Sequence, residues 1–479
     1  MRFVATIFLL AFCGALLFLA PETRAQREIK QAERDMTGIW TGTLVAPGQE
    51  LPLYFHLEKQ PDKSYLATMD SPAQNAFGFP VDTAWFKHDS LVILMPELEA
   101  AYNARWRPVE KKFIGVWTQG GMAFELNLEE TDEVPRAPRP QEPTPPYPYA
   151  VEEVTFQNAE DGVELAGTLV LPDTSGSYPV AILLTGSGAQ DRDETIAGHK
   201  PFLVIADRLA RNGIGTLRFD DRGVGGSTGL QYNTTIDDYA GDALAGLEYL
   251  KTKAGVDVEK IGLVGHSEGG WAASRAAARS DDVEFVVLLA APAVGAEQVL
   301  LTQVERMGAL NELTAEQIQG NLEFQKGVHA LIRAESDPAK LQPKLEQYYR
   351  DYIATLSEER VEKIGDVDRF VMQEAYNLSS PWFMEFLEYD PVATYSKIDV
   401  PLLAILGGKD IQIEIEENAA AYEKAFAGKN DATIERFASV NHLLQTAETG
   451  AMEEYGTILE TVSPKVLGLI VKWIGERTK

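Results

Sequence analysis

The stretch that most constrains this chain is residues 261–273, IGLVGHSEGGWAA. An apolar run, Ile261–Val264, leads straight into Gly265-His266-Ser267-Glu268-Gly269, and small helix-compatible residues follow. The pattern G-x-S-x-G at a strand-to-helix junction demands a sharp turn that lifts the serine side chain above the carboxyl end of a sheet. Flanking glycines relieve the crowding such a turn creates. That junction is the context the pattern needs in an α/β chain, where strands alternate with helices.

The flanking sequence has that rhythm. Val151–Phe156 and Val163–Leu171 read as a hairpin about Glu160-Asp161-Gly162. Apolar strand runs follow at Val180–Leu184, Gly215–Phe219, Ile261–Val264, Phe285–Leu289, Leu402–Leu406 and Thr433–Phe437. Helical patterns lie near 201–211, 235–252, 269–279, 415–426 and 464–475, and Gly213 and Gly255 stand where helices should stop. This alternation predicts a mostly parallel sheet covered on both faces over 151–479. Residues of about 296–390 break the rhythm with helical segments (Gln298–Leu310, Thr314–Glu335, Gln342–Thr355) and read as an inserted cap.

Upstream the pattern changes. In 37–130, Leu51, Leu53, Phe55 and Leu57 alternate, as do Phe124, Leu126 and Leu128, the mark of half-buried strands. This segment is expected to form a small all-β domain, a sandwich or barrel, with Trp40, Trp85, Trp106 and Trp117 as its aromatic core. Gly38-Ile39-Trp40 faintly resembles a lipocalin start. Residues 131–150 carry seven prolines and read as a semi-rigid spacer. At the N-terminus, Arg2, an apolar run from Phe3 to Ala20 and Thr23-Arg24-Ala25 form a signal-peptide pattern over 1–25. An uncleaved anchor helix is the rival. The expectation is a secreted or periplasmic protein with no stable membrane insertion after cleavage. The single cysteine, Cys13, falls inside the leader, so the mature chain would have neither disulfide nor thiol nucleophile. A net charge of −29 speaks against nucleic-acid or anionic-lipid partners.

A serine is a poor nucleophile until a base takes its proton. In this architecture the order along the chain is Ser, acid, His. Of six histidines, only His329 and His442 follow Ser267. His329 sits in the cap on a helical pattern. His442 sits in ASVNHLLQ, beyond the last strand, at the end of the sheet where ligands bind. Among possible acids, Asp399 and Asp431 precede strands and Asp390 falls before the sheet resumes. Asp410 follows a strand's carboxyl end and is the best placed, with Glu414 in reserve. The oxyanion hole should use the backbone N–H of Glu268 and one from the loop after Val180–Leu184, at Ser187 or Gly188. Asp191-Arg192-Asp193-Glu194 lacks the glycine and terminal glutamate of a calcium loop. No metal-ligand cluster and no nucleotide-binding motif stands out, and the chemistry calls for no cofactor.

Together, LTGSGAQDRDE, RFDDRGVGGSTG, GHSEGG, SPWFMEFLEYDP with LGGKDIQI, and NHLLQ resemble the α/β-hydrolases. More narrowly, they are similar to the EstD-type bacterial carboxylesterases, which lie near the serine aminopeptidases. The matching stretches span 184–445. The resemblance implies Ser267, Asp410 and His442 as a triad, Ser187 and Glu268 as oxyanion donors, and a small-molecule ester as substrate. It also implies that Gly188, Trp382, Phe383 and Phe386 lie near the acyl pocket; those aromatics could equally be cap core. The resemblance also implies that Asp220, Asp221 and Arg222, beside the site, brace loops, and they read as structural ion pairs rather than catalysts. A peptidase would need carboxylates to fix a substrate amine, for which Glu335, Glu358 and Glu359 are candidates. A third reading is a non-catalytic binding protein.

Overall fold

A computed structural model describes residues 35–46, 49–61, 63–74, 76–134, 138–429 and 431–479. The leader expected in 1–25, with Cys13, lies outside them. Among the described residues no helix is long and apolar enough to cross a membrane. The chain divides into two compact units, Met1–Arg136 and Ala137–Lys479.

The first unit is an antiparallel barrel. Its strands are β1 (Gly38–Ala46), β2 (Gln49–Lys59), β3 (Ser64–Ser71), β4 (Ala76–Pro80), β5 (Thr83–Lys87), β6 (Ser90–Met95), β7 (Ala100–Arg107), β8 (Lys112–Gln119) and β9 (Met122–Thr131). The order β2-β1-β9-β8-β7-β6-β5-β3 closes on itself through β2–β3 pairing, with β4 appended to β3. Closure removes exposed edges. The alternation read in β2 is real: Leu51, Leu53, Phe55 and Leu57 all point inward. The aromatic core differs from expectation. Trp40 and Trp117 are buried with Phe55, Tyr102 and Phe113, but Trp85 is 38% exposed. It sits between buried Ala84 and half-buried Phe86, so strand parity turns it outward. Trp106 is half-buried and meets Trp40 edge-on at 5.5 Å.

The second unit holds an eight-stranded sheet of β10 (Ala150–Asn158), β11 (Val163–Leu171), β12 (Tyr178–Leu184), β13 (Gly215–Phe219), β14 (Val256–His266), β15 (Val286–Leu289), β16 (Leu402–Gly407) and β17 (Ala432–Phe437). Their order is β10-β11-β13-β12-β14-β15-β16-β17. The β10–β11 and β11–β13 pairs are antiparallel and the rest parallel. Apolar clusters cover both faces. One gathers Ile182, Leu263, Leu288 and Ala404 around Trp271 and Tyr422. The other packs Val264, Phe285 and Ile405 with Trp473.

This is the α/β-hydrolase architecture expected from the alternation. The cap lies between β15 and β16, and its helices are Ala296–Leu310, Ala315–Ala334, Pro338–Ile353, Glu358–Ile364, Val367–Leu378 and Pro381–Glu388. The cap has its own apolar core, including Val328, Leu341, Leu345, Val371 and Phe383.

Two side chains in the described part of the proline stretch, Arg139 and Gln141, find backbone partners. The Arg139 guanidinium donates to the carbonyls of Ala197, Gly198, Gly456 and Ile458 at 2.9–3.2 Å. Gln141 donates to the Val462 carbonyl and accepts from the amides of Thr461 and Val462. Composition signals a spacer, but it does not show which of its polar side chains find carbonyls.

Candidate active site

The junction between β14 and the helix Glu268–Ala277 is the sharp turn the sequence demanded. Ser267 has φ 51° and ψ −121°, a conformation costing about 1–3 kcal/mol for a residue with a side chain. Its N–H donates to the Leu289 carbonyl at 2.9 Å, and its carbonyl accepts from Gly270 at 3.0 Å. The flanking glycines allow the close approach. A Cβ on Gly265 would meet the Gly269 carbonyl oxygen at 2.2 Å, and one on Gly269 would lie 2.3 Å from the carbonyl oxygens of Leu184 and Thr185.

Asp410 and His442 meet in the loops beyond β16 and β17. His442 Nδ1 is 2.8 Å from Asp410 Oδ2. Asp410 Oδ1 accepts from the backbone N–H groups of Gln412 and Ile413, both at 2.8 Å. Both residues are buried. With a carboxylate on Nδ1, the proton belongs there and Nε2 keeps its lone pair. The other acids have structural work. Asp390 caps the short helix Pro391–Tyr395 and Glu414 caps Ile415–Ala425. Asp399 pairs with Lys429, and Asp431 with Arg477. His329 is buried in the cap against Gln325 and Glu297.

The loop after β12 carries the second set of amides. Gly186 N–H is committed to Glu194 Oε1 at 2.8 Å, which leaves Ser187 and Gly188 as the next amides along. The Gly188 carbonyl accepts from Gln231. Asp221 braces the same loop, accepting from the Thr185 hydroxyl at 2.8 Å and Gln190 N–H at 2.9 Å. It is not the ion pair expected from the sequence. Burial pushes its carboxyl up to about 8, against those two hydrogen bonds, with the Glu194 and Glu268 charges adding to the rise. Asp220 and Arg222 do form ion pairs, with Arg192 and Asp242 respectively.

Glu268 turns its side chain under the cap. Its carboxyl accepts from the Trp382 indole N–H at 2.7 Å. Burial pushes it up to about 7, while the Trp382 and Ser187 hydrogen bonds act in the opposite direction. Of the three aromatics implied at the acyl pocket, Trp382 is the one that bonds the residue next to Ser267. Phe386 is buried against Trp271, with ring centroids 5.2 Å apart, and Phe383 lies in the cap core. Glu385, on the same cap helix, accepts from Ile236 N–H and pairs with Arg275. Glu335 bonds Lys344.

Sequence reasoning assigned no role to Glu194 or His266. Glu194 Oε1 lies 2.8 Å from His266 Nδ1, and His266 Nε2 lies 2.9 Å from the His442 carbonyl oxygen. The rings of His266 and His442 are 5.0 Å apart. The signal for His266 was its place inside the pentapeptide; Glu194 had none beyond its loop.

The profile of the serine aminopeptidase S33 family matches residues 200–449. The chain belongs to that family. Esterase EstD of Thermotoga maritima is 26% identical over 328 residues, covering 68% of this chain and 69% of that protein. An uncharacterized 31.7 kDa protein of Escherichia coli is 23% identical over 282 residues, covering 58% of this chain and 88% of its own. Among solved structures, esterase Pf2001 of Pyrococcus furiosus covers 72% of this chain and all of its own at 18% identity, with a TM-score of 0.41. This S33-family protein has the α/β-hydrolase architecture.

Proposed function

We propose that this hydrolase cleaves small carboxylic esters through an acyl-enzyme. Ser267 Oγ attacks the ester carbonyl while His442 Nε2 takes its proton. Asp410 fixes the imidazole and stabilises its charged form. The amides of Ser187 and Glu268 receive the oxyanion. His442 then protonates the leaving alcohol, and water releases the acid by the same route. Gly188 and Trp382 line the acyl side, with Phe383 and Phe386 behind them. No cofactor enters the scheme.

The observation that supports this reading is the His442–Asp410 bond, with the other Asp410 oxygen held by two amides; Ser267 is held at positive φ in its turn. Ser267→Ala should abolish hydrolysis of p-nitrophenyl acetate and labelling by a fluorophosphonate. A variant with the wild-type rate sinks the proposal. Comparing esters with aminoacyl amides separates an esterase from a peptidase on the same residues. A wild-type chain that neither labels nor turns over favours a binding role. Secretion or a periplasmic address is part of the proposal, and N-terminal sequencing of the mature chain tests it.

A further inference from the structure

His266 is buried, and its two ring nitrogens face two acceptors: Glu194 Oε1 at 2.8 Å and the His442 carbonyl oxygen at 2.9 Å. A neutral imidazole has one N–H and could satisfy only one of them. With Glu194 ionised, both bonds form together only when the ring carries two protons. Glu194 Oε1 also accepts from Gly186 N–H. One carboxylate and one imidazole therefore join three segments: the loop after β12, the end of β14 and the loop carrying His442. We propose that Glu194 and His266 are a positioning pair, a buried carboxylate–imidazolium unit that fixes the main chain of His442 relative to Ser267. This rests on the reading of Ser267 and His442 as nucleophile and base.

The surroundings agree. Burial alone would push the His266 ring down. The Glu194 charge and hydrogen bond, the His442 carbonyl and the Asp410 charge outweigh it and hold the ring above the ordinary imidazole value. The groups facing it are Glu194 from the β12 loop, the His442 ring and carbonyl, and Asp410 beyond β16. Asp221 lies near enough to Glu194 to feel its charge.

Glu194→Gln keeps the amide oxygen that accepts from Gly186 and from a His266 Nδ1–H, but removes the charge. His266 should then lose its second proton at lower pH, leaving a lone pair opposed to the His442 carbonyl. The expected result is a basic limb of the kcat profile displaced to lower pH, with KM little changed. His266→Gln should lower kcat by up to about 100-fold, the effect of a misplacement near 1 Å, without a displaced limb. Nitrogen-15 spectra, assigned with the His266→Gln variant, should show a doubly protonated ring in the wild type at about pH 7. Fluorophosphonate labelling reports the underlying reading separately. A labelled wild type with an unmoved limb in Glu194→Gln, or a singly protonated His266, overturns the positioning pair alone. An unlabelled wild type overturns both.

Discussion

Asp410→Asn tests the proposed triad. Oδ1 of Asp410 accepts two backbone N–H groups, so the asparagine oxygen must stay on that side. The amide NH₂ then faces His442 Nδ1, where a carboxylate oxygen stood 2.8 Å away. Two donors cannot share that contact, so the imidazole must move its proton to Nε2. A ring protonated at Nε2 cannot take the serine proton. The expected loss in kcat is about 10⁴-fold, as for the wrong tautomer in comparable triads. That corresponds to about 5.5 kcal/mol of transition-state stabilisation. Stability should fall less, by about 1.5–3 kcal/mol for a charge-assisted hydrogen bond. Initial rates on a short p-nitrophenyl ester, with urea unfolding on the same samples, measure both. A loss below about tenfold would refute the tautomer argument.

Asp221 and Glu268, raised by burial to about 8 and about 7, bind protons more tightly folded than unfolded. Their contribution to stability is present below the ordinary carboxyl range and is lost as pH rises through those values. Asp221→Asn should flatten the fall of the thermal midpoint between about pH 5 and about pH 8 relative to wild type; an unchanged slope counts against a protonated Asp221. Gly269→Ala drives a Cβ into the Leu184 and Thr185 carbonyls and should cost about 3 kcal/mol or more by urea unfolding. Trp382→Phe keeps an aromatic side chain, though a smaller one, but removes the donor to Glu268, and should cost about 1–3 kcal/mol.

The sheet was legible because its strands are apolar runs with glycine stops between them, and Ser267 because its turn has a fixed residue pattern. Asp410 and His442 followed from their places beyond strands. The parts that escaped are those set by packing in three dimensions. Trp85 points outward because of strand parity, which a list of tryptophans does not encode. Asp221 looked like its charged neighbours Asp220 and Arg222, but the side chain it meets is Thr185. Glu194 and His266 lie 72 residues apart, and no local pattern links them.

Arg139 and Gln141 have a practical consequence. The segment they hold, Gly456–Val462, runs into Ser463, whose N–H donates to the Leu444 carbonyl, two residues past His442. A truncated chain beginning at Val151 would strip their partners from the carbonyls and amides that Arg139 and Gln141 satisfy, in the segment that leads to the Ser463–Leu444 bond. The shortest catalytic fragment worth expressing therefore starts before Arg139.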